Sequence, residues 1–226
     1  MPRVCVFDVN ETLLDLRALD PHFARVFGDV AARAEWFTQL LQSALVATVT
    51  DTYADFSTIG GAALEMTAAR RGVTLSDQDR QDILGGMRQL PPHPEVRESL
   101  ERLRDAGLRL AALTNSPPQV AEAQLTNAGL RGYFEQALSA DAVRRLKPAP
   151  APYRMAAERL GVPTREIRLI AAHAWDVAGA LRAGCAAAFV ARPGKVLDPL
   201  VERPDVVGAN LRAVTVQILA REVPGH

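Results

Sequence analysis

The sequence offers little sulfur chemistry. It carries two cysteines in 226 residues, Cys5 and Cys185, and both sit in apolar, strand-like surroundings. Such thiols read as buried and unpaired rather than as a disulfide framework, which fits a reducing, cytoplasmic setting. An excess of charge of one sign is also missing. Lys plus Arg and Asp plus Glu number 26 each, and the basic residues are scattered. No global field therefore selects nucleic acid or an anionic membrane. No apolar run reaches membrane-spanning length, and the N-terminal stretch meets Asp8 too soon to hold a signal peptide. Internal repeats and low-complexity segments are absent as well. What remains is ordinary globular material, 48% apolar and 23% charged. That is enough for one α/β domain with an inserted subdomain, or for two small domains.

The stretch "VCVFDVNETLLD", from Val4 to Asp15, poses the functional question. Four apolar residues run into Asp8, and the chain then turns through Asn10 and Glu11 to Thr12. Asp is a common turn former, so a buried strand with an ordinary turn is one reading. The other is a nucleophilic carboxylate at the C-terminal edge of a parallel sheet, where open α/β folds place their active sites. From His93 onward helices and strands alternate. "HPEVRESLERLRDAG" has helical spacing and a glycine stop; "LRLAALTN" is a buried strand; "PPQVAEAQLTNAG" is a helix opened by proline. Helix "PAPAPYRMAAERLG", strand "IRLIAA", helix "WDVAGALRAG" and strand "AAAFVA" follow, then a short edge strand in "DVVGANL" and a last helix to about Leu219. Alternation of this kind implies right-handed crossovers and a parallel doubly wound sheet that includes Val4 to Phe7. Residues 14–92 break the pattern. They hold no convincing strand and read as helices, including 31–50, 53–72 and 76–87, ending in the linker signal "LPPHP". We therefore expect a Rossmann-like core from residues 1–13 and 93–226, with a helical cap of residues 14–92 over the sheet's C-terminal edge.

The strand ends supply, in order, Asp8 with Thr12, then Thr114, Asn115 and Ser116, then Lys147 before a helix, then "AAHAWD" with His173 and Asp176. Each alone is explained by helix capping or by the helix dipole. Together they bring a carboxylate, a hydroxyl and amide, an ammonium and a second carboxylate to one edge of one sheet. In this arrangement the chain resembles the haloacid dehalogenase superfamily, and within it the (S)-2-haloacid dehalogenases. "FDVNETLLD", "LTNSPPQ", "KPAPAPY" and "AHAWDVAGA" fall where that family has its signatures. The resemblance implies a Rossmann-like core with a helical cap, commonly a homodimer, using neither metal nor cofactor. It also implies that Asp8 attacks C2 of a short (S)-2-haloacid, that water opens the resulting ester, and that an (R)-2-hydroxy acid is released. By the same resemblance Thr12 steadies Asp8, and Lys147 keeps it ionised. Asp176 positions or deprotonates the water, and Tyr153 belongs to the site. Thr114, Asn115 and backbone N–H groups at the following helix start bind the substrate carboxylate.

Phosphatase relatives in the superfamily carry an acid two residues after the nucleophile and a metal-binding Asp four residues before the position of Asp176. Here those positions hold Asn10 and Ala172. A carboxylate attacking an anionic phosphoryl group faces about 4 kcal/mol of repulsion per unit charge at 4 Å and an effective dielectric of 20, which Mg²⁺ normally cancels. A halogen-bearing carbon carries no such charge, so an Mg²⁺-dependent phosphatase is the poorer fit. Two departures touch the dehalogenase reading itself. His173 stands where the family has Asn, either as a loop histidine or as a base for ester hydrolysis. Trp36 keeps register with the family tryptophan, which puts Phe37 where the family has its halide-binding arginine. Arg33, one turn away, is expected to face solvent, and no Lys or Arg lies between Arg33 and Arg70, so no nearby cation on the next helices restores it. The leaving group is then helped by Asn10, Trp36 and Phe37, or it is not a large halide. Ring opening of azetidine-2-carboxylate is the alternative on the same nucleophile, and a non-catalytic binding protein is the third reading. Phe56 and Trp175 match apolar pocket positions and suit a small aliphatic acid.

Overall fold

A computed structural model describes residues 4–223. Its core is a six-stranded, all-parallel sheet in the order β3-β2-β1-β4-β5-β6. The strands are β1 (Val4–Phe7), β2 (Arg109–Thr114), β3 (Gln136–Ser139), β4 (Ile167–Ala171), β5 (Ala186–Val190) and β6 (Val206–Gly208). β1 lies between β2 and β4, with Phe7 opposite Ala112 on one side and Ile170 on the other. The order runs outward from β1 in both directions, so the switch point of the doubly wound sheet falls at the C-terminal end of β1. That end delivers Asp8.

The strands are apolar on both faces because both faces are covered. Cys5 and Phe7 point to one side, while Val4 and Val6 point to the other. The first side is packed by α5 (Val96–Asp105), α6 (Pro118–Asn127) and α9 (Leu211–Glu222). The second is packed by α7 (Pro150–Leu160) and α8 (Ala174–Arg182). Both cysteines are unpaired, and burial pushes each thiol up to about 12. They are packing residues.

β3 is an element that sequence patterning does not reveal. "QALS" has two apolar residues, sits at the sheet edge and pairs on one side only, so it shows no buried run.

Between β1 and α5 the chain forms α1 (Asp20–Phe27), α2 (Ala31–Val49), α3 (Phe56–Arg71) and α4 (Asp77–Gly86). The third starts three residues later than its periodicity suggests. Asp55 caps it by accepting from Ser57 N at 2.9 Å and Thr58 N at 3.1 Å, and this ends the loop that precedes it. Tyr53 instead bonds Asp141 across to the core, with Arg144 over its ring. A second link runs from Arg145 to the carbonyl of Thr48 at 3.0 Å. α2 thereby reaches the C-terminal edge of the sheet and sets Phe37 against His173, 6.3 Å between ring centroids. Among the described residues no helix is long and apolar enough to cross a membrane.

Candidate active site

Asp8 follows β1 directly. Its backbone N–H still bonds Ile170 O on β4, and its side chain is buried. An isolated carboxylate there would be driven to protonate. Three donors prevent it. Lys147 Nζ lies 3.0 Å from Oδ1, Thr12 Oγ1 donates to Oδ2 at 2.6 Å, and His173 Nδ1 stands 3.2 Å from the same oxygen. Burial pulls the Asp8 pKa up, but the ammonium, the imidazole and the hydroxyl together hold it well below the ordinary carboxylate range. The group is therefore an anion at every physiological pH.

Lys147 is fully buried and reaches the site because its backbone is pinned. Asn115 Oδ1 accepts from Lys147 N at 2.8 Å, and Asn115 Nδ2 donates to Lys147 O at 3.3 Å. The ammonium has three acceptors: Asp8, the carbonyl of Leu113 at 2.9 Å and Asp176 Oδ2 at 2.5 Å. Asp176 sits in the first turn of α8, its other oxygen accepting from Tyr153 OH at 2.5 Å. Its pKa is raised, chiefly by burial, with Asp8 adding to the effect and Lys147 opposing it. Thr12 is fixed in turn. Its hydroxyl accepts from Ala172 N at 2.9 Å, and its carbonyl accepts from Arg192 Nη2 at 2.7 Å.

The residues expected from sequence divide into four groups. Asp8, Thr12, Lys147, Asp176, His173 and Tyr153 form one hydrogen-bonded network, with Phe37 and Trp175 against His173. Trp175 stacks on His173 at 5.0 Å between centroids and lies 5.9 Å from the Lys147 ammonium; its buried indole N–H has no acceptor among the described residues. Thr114 and Asn115 are adjacent but already engaged, Thr114 Oγ1 accepting from Ser116 N at 3.1 Å. The helix start beyond them is poorer in donors than expected, because Pro117 and Pro118 occupy its N-cap and first position and have no N–H. Asn10 turns away from Asp8. Its amide donates to Ser116 Oγ at 3.3 Å and accepts from Gln124 Nε2 at 2.9 Å. Trp36 and Phe56 line a separate, mostly apolar cavity of ≈ 360 Å³ together with Leu40, Met87, Arg88 and Ser116. Ser116 joins that cavity to the Asp8 loop through Asn10.

Two expectations about cations need correction. Arg33 does not face solvent; its guanidinium is largely covered and paired with Asp20 at 2.5 Å. Nor is the cavity without a cation, since Arg80 and Arg88 both reach its wall from farther along the chain. Arg80 is tied to Glu65 and Asp77, whereas Arg88 forms no side-chain ion pair among the described residues.

Sequence reasoning missed Glu11 altogether. Its Oε2 lies 2.8 Å from His173 Nε2 and 2.6 Å from Lys195 Nζ. It lies within "FDVNETLLD", but that stretch does not reveal its role, because its partners are 162 and 184 residues away.

A family model described as haloacid dehalogenase-like hydrolase matches residues 2–184. The chain is 31% identical over 212 residues to (S)-2-haloacid dehalogenase of Pseudomonas sp. (strain YL), covering 92% of this chain and 90% of that protein. It is 32% identical over 199 residues to (S)-2-haloacid dehalogenase 4A of Burkholderia cepacia, covering 85% and 84%. Its fold superposes on L-2-haloacid dehalogenase from Xanthobacter autotrophicus with chloropropionic acid covalently bound. The TM-score is 0.91 at 26% identity, over 98% of this chain and 100% of that one. A carboxylate at the switch point, an ammonium shared with a second carboxylate and a family match over most of the sequence lead to one conclusion: the chain belongs to the haloacid dehalogenase-like hydrolase family.

Proposed function

We propose that this protein hydrolyses the carbon–halide bond of short (S)-2-haloacids, through an ester on Asp8, and releases (R)-2-hydroxy acids. The observation that carries the reading is the state of Asp8: buried, ionised and held by Lys147, Thr12 and His173 at the end of β1. Burial strips the carboxylate of water and makes it a better nucleophile, while its three donors keep it charged and aimed. One Asp8 oxygen attacks C2 from the side opposite the halide, inverting that carbon and expelling halide. Water, ordered by Asp176 with Lys147 and Tyr153, then attacks Cγ of the ester. The Cγ–O bond breaks, the hydroxy acid leaves and the carboxylate is restored. Residues 14–92 act as the cap that excludes bulk water, with the hydrocarbon arm of the substrate in the cavity beside Trp36 and Phe56. Asn10 and Ala172 stand where a phosphoryl-transfer relative needs an acid and a metal ligand.

A second reading has one specific observation in its favour. Phe37 replaces the family arginine, and the cation beside it is His173, whose pKa is raised. An amine leaving group needs a proton, as in ring opening of azetidine-2-carboxylate, and an imidazolium has one to give.

Single turnover in ¹⁸O water tests the covalent step. Label should enter the Asp8 carboxylate before it accumulates in product; label going directly into product sinks the mechanism. A panel of 2-chloro-, 2-bromo- and 2-fluoroacids, azetidine-2-carboxylate and small phosphate esters, with and without EDTA, assigns the substrate.

A further inference from the structure

Two guanidiniums reach the wall of the cavity beside Trp36 and Phe56. Arg80 is engaged by Glu65 and Asp77, whereas Arg88 has no carboxylate partner among the described residues. Arg88, with Ser57 and Val120, also lines an outer groove, so its side chain stands where the cavity meets solvent. The carboxylates of that groove are committed elsewhere. Asp55 caps α3 through Ser57 N and Thr58 N, and Asp141 accepts from Tyr53 OH. The groove's other guanidinium, that of Arg144, lies 4.7 Å over the Tyr53 ring.

The backbone that carries Arg88 is fixed to the catalytic core. From α6, Gln124 Nε2 donates to Met87 O and Asn127 Nδ2 donates to Arg88 O, each at 2.9 Å. The same Gln124 amide donates to Asn10 Oδ1 at 2.9 Å, two residues beyond Asp8. Arg88 is therefore held in register with the nucleophile loop, although it falls within residues 14–92.

We infer that Arg88 is a specificity residue that binds the second carboxylate of a dicarboxylic 2-haloacid, whose hydrocarbon spacer lies along the apolar wall. The inference rests on the haloacid reading above and on the place given there to the hydrocarbon arm. Two physical arguments select this ligand. An apolar wall excludes an unpaired charge, because a carboxylate that sheds its water there gains nothing in return; a charged arm enters only where a cation meets it. A guanidinium meets carboxylate through two parallel N–H···O contacts, and an arm already tethered at C2 gives up little further freedom to make them. Arg88 is exposed, so water and salt weaken the pair. The preference for the diacid is accordingly about fivefold, well short of what a buried pair would give.

The experiment compares kcat/KM for (S)-2-chloroglutarate and (S)-2-chloroadipate with that for (S)-2-chloropentanoate and (S)-2-chlorohexanoate. It uses halide release by the native protein, Arg88→Met, Arg88→Lys and Arg144→Gln. At the better of the two lengths the native protein should prefer the diacid by about fivefold, and high salt should shrink that ratio. Arg88→Met should bring the ratio to about one through KM rather than kcat, since the contact lies far from the bond that breaks. Arg88→Lys should restore part of it. A ratio that survives Arg88→Met, or an equal loss on both kinds of acid, overturns the assignment. So does a ratio abolished as fully by Arg144→Gln, which would put the carboxylate in the outer groove. Calorimetric titration with glutarate and adipate, against pentanoate and hexanoate, tests the same contact without turnover. Tighter binding of the diacids that depends on Arg88 supports the subsite even if no chloroacid releases halide, an outcome that would sink the haloacid reading alone.

Discussion

Lys147 Nζ and Asp176 Oδ2 are 2.5 Å apart in a site from which solvent is excluded, and the same ammonium is shared with Asp8. One cation therefore supports two buried carboxylates whose pKa values are pushed in opposite directions, Asp8 down and Asp176 up. That separation divides the roles: a group that is always an anion attacks, and a group that resists ionisation orders water.

Lys147→Met should accordingly be far worse than a surface Lys change. Two carboxylates would remain buried around an apolar side chain, and breaking such a pair costs about 3–5 kcal/mol. Loss of the charge that holds Asp8 ready should also reduce kcat by about 10²–10³-fold. The deficit has a pH signature. Without the ammonium the folded-state carboxyl pKa values rise above their unfolded values, so the variant should lose stability as pH increases. Urea unfolding at pH 5 and pH 8 checks the sign; a deficit independent of pH would rule this account out.

Thr12→Val keeps the side-chain shape and removes one hydroxyl. That oxygen donates to Asp8 at 2.6 Å and accepts from Ala172 N at 2.9 Å, so the variant leaves a buried N–H without a partner. We expect a stability loss of about 1–3 kcal/mol. Because Asp8 also loses a donor, kcat should fall while KM changes little. A KM effect alone would mean that Thr12 contacts substrate instead.

Much of the site was legible because topology does the gathering. In a parallel sheet the C-terminal ends of β1, β2 and β4 must share an edge, so Asp8, Thr114, Asn115, His173 and Asp176 converge without any knowledge of side-chain packing. Lys147 was legible from its motif. What escaped was whatever depends on a long-range partner. Glu11 carries no spacing signature, Arg33 was read as solvated because Asp20 lies outside any motif, and Arg88 reaches the cavity from beyond α4. The donors of the α6 start were overcounted although Pro117 and Pro118 are plain in the sequence. A helix start binds an anion only through free N–H groups, and two prolines leave this one short of them.

The cavity beside Trp36 and Phe56 sets an expectation for chain length. At ≈ 360 Å³ it exceeds what a methyl substituent needs, and its wall is mostly apolar. Each methylene buried there is worth about 0.8 kcal/mol, or roughly fourfold in kcat/KM. (S)-2-Halo acids of four to six carbons should therefore outperform 2-chloropropionate. Gly60→Val narrows the space, since even a Cβ at Gly60 would lie 3.3 Å from Leu40 Cδ1. It should erase the gain for long chains while sparing the short acid. A flat chain-length series in the native protein would place the hydrocarbon arm elsewhere.

His173 should also leave a mark on stability that is independent of turnover. Its folded-state pKa lies above the ordinary value of 6.5, burial notwithstanding, because Asp8 and Glu11 face its two nitrogens. A group raised in this way binds more protons folded than unfolded between those two pKa values. Its contribution is thus complete below about 6.5 and is lost as pH climbs through the folded-state value. Each unit of displacement corresponds to about 1.4 kcal/mol at the acid end. Asp8 and Glu11 are both lowered and remain ionised across that range, so neither reverses the trend. The native protein should therefore exceed His173→Asn in stability by more at pH 6 than at pH 9, measured as the difference in unfolding free energy between the two proteins at each pH. A difference that stays constant would mean that the ring is neutral between its two carboxylates, and Asp8 would then owe its charge to Lys147 and Thr12 alone.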